Sequence, residues 1–104
     1  MTRTEIIFNY NRAMKEAERL ENLAKKLNRI ADRDMESAIG TLKNAWNSDY
    51  SGQYYKKAYT VEESIKKSAA NLSAIANSIR KIAEITKNSE LRALETAKNR
   101  SYKK

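Results

Sequence analysis

From Tyr54 to Ile82 the chain repeats an apolar or small side chain at alternating steps of four and three. The positions are Tyr54, Ala58, Val61, Ile65, Ser68, Leu72, Ile75, Ile79 and Ile82. An α-helix, with its period of 3.6, gathers such a series onto one side, whereas a strand scatters it over two faces. An equivalent stripe opens the chain: Ile6, Tyr10, Ala13, Ala17, Leu20, Ala24, Leu27 and Ala31. It resumes past Asp32-Arg33-Asp34 as Met35, Ala38, Leu42 and Trp46. The step 27–31–35 is four plus four, a stutter that locally relaxes any supercoil. Leu23, Ile30 and Ile39 form a second row beside the first, so the apolar face of helix 1 is wider than a two-stranded contact needs.

Breaks are scarce. The 104 residues contain no proline and two glycines, too few turn residues for an all-β or α/β chain of this length. Asn, Ser, Asp and Gly cluster at 44–52, which marks the turn, with Ser48 or Asp49 available to cap the helix that follows. Thr2-x-x-Glu5 is a capping box that starts helix 1. The expected fold class is all-α, an antiparallel two-helix hairpin in a single domain spanning 1–104. Helix 1 covers about 3–45, the turn about 46–50 and helix 2 about 51–97. Asn88-Ser89 is a candidate interruption, and the end from Asn99 looks frayed. A hairpin covers one flank of each stripe, so dimerisation into a four-helix bundle is expected. Ala69, Ala76 and Ala83 repeat every seven residues beside the main stripe. With Leu23 and Ile30 they are the expected contacts to a second hairpin.

The residue inventory argues against catalysis. Histidine and cysteine are absent, which removes the usual zinc, copper and haem ligands and the nucleophile–base pairs built on them. Neither glycine lies in a phosphate-cradling loop. Asp32, Asp34 and Glu36 point to different faces at helical spacing and are expected to be solvated, as are Glu62 and Glu63. No catalytic residue, cofactor or metal is therefore expected.

The formal net charge is +8, which raises nucleic acid as a partner. Acids interleave with bases throughout, so a solvated, ion-paired helix surface is the better reading and a basic nucleic-acid-binding protein the alternative. No stretch is apolar enough to span a membrane, and no signal-peptide pattern opens the chain. The expectation is a protein made in the cytoplasm.

The aromatic residues crowd the turn. Trp46 is the lone tryptophan, expected to plug the hairpin end. Tyr54 lies on the stripe, whereas Tyr55 and Tyr59 sit about 100° round the helix, where tyrosine favours an interface. Lys56 and Lys57 between them add a weak nucleic-acid signal.

Leu42-Lys43-x-x-Trp46-x-Ser48, followed by Tyr54 eight positions after the tryptophan, resembles the WXG superfamily of small type VII secretion proteins. Trp46 stands at the Trp of that pattern, Ser48 where Gly is expected, and Tyr54 at the downstream aromatic. The resemblance covers the length, the hairpin layout and the central turn. It implies a secretion substrate or targeting partner acting as a homodimer, or as a heterodimer with another helical hairpin or a toxin N-terminal domain of the LXG type. It also implies export without a cleaved signal peptide. The family's Tyr-x-x-x-Asp/Glu signal usually follows helix 2; here that spacing occurs at Tyr59 and Glu63, inside it.

Overall fold

The computed structural model describes residues 1–46 and 51–102. All elements among them are helical: α1 (Arg3–Arg29), a π-helical turn (Ile30–Met35), α2 (Glu36–Ala45) and α3 (Ser51–Tyr102). The expected turn residues Ser48, Asp49 and Tyr50 lie outside the described residues. α1 begins as its capping box dictates. The Glu5 N–H donates to Thr2 Oγ1 at 3.2 Å, and the Thr2 N–H donates to Glu5 Oε1 at 3.4 Å. Each side chain thereby satisfies a backbone donor that the first turn leaves open. α3 passes through Asn88-Ser89 without a break and runs past the expected end near 97. Two residues of modest helix propensity cost only about 1 kcal/mol together, too little to interrupt a helix held elsewhere.

The chain divides into two compact units. One joins Met1–Leu20 to Ala74–Lys104, and the other is Glu21–Ser73. In the first, Ile6, Ala17 and Ala76 are buried; in the second, Ala24, Ala31, Ile39, Ser51, Glu62 and Ala69. Five of the seven buried hydrophobic residues among those described are alanines, so the interior is built of small side chains. Small residues let helical backbones approach closely, and the bulkier side chains then pack beside the contact instead of in its centre.

This reverses the expected arrangement in α3. The alanine row is the interior: Ala69 and Ala76 are fully buried, and Ala83 is half-buried. They therefore cannot be the flank that meets a second hairpin. Of the long stripe, Ala58, Ile65, Leu72 and Ile79 are half-buried beside that row. Tyr54, Val61, Ser68, Ile75 and Ile82 are exposed.

In the first segment the stripe stays inward through Ala31 and then takes a further step of four. Ile39 is buried, whereas Ala38, Leu42 and Trp46 are exposed, contrary to expectation. The π-helical turn is the reason. Its i→i+5 hydrogen bonds place more than 3.6 residues in one revolution, so successive steps of four keep Leu27, Ala31, Met35 and Ile39 on one side. The stutter in the sequence is that turn.

Candidate functional site

Three arrangements of side chains stand out, one aromatic, one apolar and one acidic. The aromatic one lies in the Glu21–Ser73 unit, where α2 ends. Trp46 is the C-cap of α2, with φ −130° and ψ 96°, and its N–H donates to the Leu42 carbonyl at 2.7 Å. The extended backbone turns the chain out of the helix and leaves carbonyls in need of donors. Tyr55 of α3 supplies one: its hydroxyl donates to the carbonyls of Trp46 and, at 3.1 Å, of Leu42. Lys43 Nζ donates to Tyr59 Oη at 2.7 Å and lies 5.6 Å from the centre of the Tyr55 ring. The Tyr59 hydroxyl raises the affinity of Lys43 for its proton, outweighing the lowering that desolvation brings. Thus Tyr55 and Tyr59, expected at an interface with another molecule, hold α2 and α3 to each other within the unit. Tyr55 is half-buried, and Tyr59 is partly exposed.

The Trp46 and Tyr54 rings meet with centroids 4.9 Å apart and planes tilted by 39°. The eight-residue spacing in the sequence thus corresponds to a contact in space. Both rings face solvent, Trp46 at 41% and Tyr54 at 55% exposure. Trp46 is therefore no buried plug; one face of its ring is covered by Tyr54 and much of the rest is open. Ser48, the third residue of the pattern, lies outside the described residues.

The same unit also exposes Leu42, Val61, Leu23 and Ile30. The Met1–Leu20/Ala74–Lys104 unit carries the apolar arrangement. Phe8, Ile75, Ile82 and Ile85 are exposed on it, Ile82 at 63%. An open groove of about 290 Å³ lies there among Ile6, Tyr10, Ala13, Ile79, Ile82 and Ala83. Lys87 closes one side, its Nζ 4.1 Å from the Tyr10 ring centre, a cation–π contact that covers the aromatic face.

The acidic arrangement escaped the sequence reading. Glu62 is not solvated: it is 5% exposed, and its Oε2 has no hydrogen-bond partner. Lys66 Nζ lies 3.8 Å from Glu62 Oε1 and makes its closer bond, 2.9 Å, to Asp32 of the π-turn. Desolvation, and then the Glu36 carboxyl opposite, hold Glu62 above the usual carboxylate range. The signal was present in the spacing, since 62 is the next position up the row of 69, 76 and 83. A residue seven before a buried alanine shares its face.

Among the described residues no group of three or more carboxylate, histidine or cysteine side chains is placed to hold a metal ion. No helix among them is long and apolar enough to cross a membrane. No protein-family model, curated protein or solved structure matches the chain.

Proposed function

We propose that this chain is a WXG-like helical hairpin of a type VII secretion pathway, acting by association with a second hairpin to complete a four-helix bundle. The second hairpin is either another copy or the helical N-terminal part of a larger secreted protein. One observation carries the reading: the interior among the described residues is mostly alanine, and Tyr54, Val61, Ile75, Ile82 and Ile85 are left exposed. Bulky aliphatic side chains recurring on helices are the surface that another amphipathic helix covers, and each contributes about 1.5–3 kcal/mol when fully buried. The Trp46–Tyr54 pair supports the family likeness, because the two aromatic positions of the pattern touch. The bonds Lys66–Asp32 and Lys43–Tyr59 support the hairpin, as one partner's number falls while the other's rises. On this reading the protein is made in the cytoplasm and leaves without a cleaved signal peptide, and it has no catalytic role.

Light scattering over a range of concentrations tests it. The wild type should form a dimer, or pair with the helical product of an adjacent gene. Ile82→Asp should remain equally helical, with stability changed by no more than about 0.5 kcal/mol, and lose that association. A wild type that stays monomeric at high concentration and ignores every encoded neighbour overturns the proposal. Tight binding to DNA that collapses with added salt would instead favour the basic-protein alternative suggested by the +8 charge.

A further inference from the structure

Glu62 poses a chemical problem that the proposed association does not use. Among the described residues it is the one buried charged side chain, and it stands seven residues before the fully buried Ala69 and fourteen before Ala76. The position is an interior one, yet it holds a carboxyl. Three charged groups face it. Lys66, one turn on along α3, is divided between two acids and sits nearer Asp32, at 2.9 Å, than Glu62, at 3.8 Å. Asp32 and Glu36 come from the π-turn and the start of α2. The carboxyl that acts on Glu62 from the start of α2 is Glu36, and two ionised carboxylates have no proton to share. Glu62 Oε2 stands buried without a donor.

We propose that Glu62 and Glu36 form a carboxyl pair that shares one proton, and that this proton latches α3 to the π-turn and α2. With the proton present, one carboxyl donates to the other and the orphan oxygen is satisfied. With it gone, two like charges face each other in a partly desolvated site, and Lys66 is too committed to Asp32 to neutralise both. Glu36 is exposed, so the proton exchanges with solvent without unfolding.

The direction of the pH effect follows. Burial and Glu36 hold Glu62 above the usual carboxylate range in the folded chain. The folded state therefore binds the proton more tightly than the unfolded state does. The stability this confers is fully present in acid and is lost as pH rises through the folded value. Lys66 is also raised, chiefly by Asp32, but its contribution is lost only in strongly alkaline solution and leaves this window untouched.

The test is equilibrium unfolding of the full chain from about pH 4 to about pH 8, the interval in which a raised carboxyl titrates. Glu62→Gln keeps the shape and can donate to Glu36 at every pH, so its melting temperature should exceed that of the wild type by an amount that grows with pH. Glu63→Gln, at the neighbouring exposed position, should track the wild type. Glu62→Ala, which continues the alanine row, should also gain on the wild type as pH rises, and it serves if the glutamine variant folds poorly. A carboxyl-carbon NMR titration supplies the direct readout: the Glu62 midpoint should lie above the usual carboxylate range and fall in Glu36→Gln. A constant gap between wild type and Glu62→Gln across the range overturns the proposal. So does a Glu62 midpoint within the usual carboxylate range.

Discussion

The two units solve the same packing problem with different chemistry. Among the described residues, those buried in the Met1–Leu20/Ala74–Lys104 unit are all apolar: Ile6, Ala17 and Ala76. The Glu21–Ser73 unit buries alanines too, but adds a carboxyl, a lysine bridge to Asp32, a tyrosine cap on α2 and a helical turn of irregular pitch. An alanine interior brings backbones close but says little about which turn faces which, since one alanine replaces another at small cost. Polar groups that find particular partners supply the missing register, because a slip of one turn takes each of them away from its partner. One unit gains cohesion from apolar contact, and the other adds address.

Placing in the apolar unit what the polar one tolerates should have the largest effect. Ala76→Glu puts a carboxylate into a fully buried site, and Arg80, one turn on, already bonds to Asn77 at 3.1 Å. The cost should be several kcal/mol, enough to unfold the chain at ordinary temperature. Circular dichroism showing a helical, folded Ala76→Glu would mean that the alanine row is not the interior.

A smaller effect is expected at the polar unit's surface. Trp46→Ala removes a ring that is 41% exposed and lies 4.9 Å from Tyr54. The loss should be about 1–2 kcal/mol by urea unfolding, from partial burial and the ring pair, and well short of the 3–5 of a core aromatic. A core-sized loss would restore Trp46 to the plug that the sequence suggests.

Smallest of all, Tyr55→Phe deletes one hydroxyl from the end of α2 and should cost about 0.5–1.5 kcal/mol. Hydrogen exchange should quicken at Trp46, whose N–H shares the Leu42 carbonyl with that hydroxyl, while amides of the apolar unit stay as they were. An unchanged Trp46 amide would remove the tyrosine cap from the comparison.

Much of the fold was legible because it rests on local signals. The capping box of Thr2 and Glu5, the helical period, and the limits of the first helical segment at 3–45 are each written in neighbouring residues. Which side of α3 faces inward does not follow from bulk, because closely approaching helices reserve the centre of the contact for alanine and push Val61, Ile75 and Ile82 outward. Glu62 was missed because two adjacent acids read as a solvated surface, and only the heptad it shares with Ala69 and Ala76 tells them apart. The roles of Tyr55 and Tyr59 were not legible either, since their partners Leu42, Trp46 and Lys43 lie 9 to 16 residues away.

The π-turn amounts to one surplus residue in an otherwise continuous helix. Deleting any single residue from Ile30–Met35 would let α1 and α2 run on as one regular helix. Because the turn absorbs the surplus, the side chains from Glu36 to Trp46 would keep their faces and shift only by about 1.5 Å along the axis. Leu27 and Ile39 would then stand three helical turns apart, still on one side. The stretch should accordingly accept the loss of one residue far more readily than the middle of α1 or α3 would, where the same loss turns every later side chain by about 100°. A relative lacking the surplus residue could close the same two helices with the same interior residues.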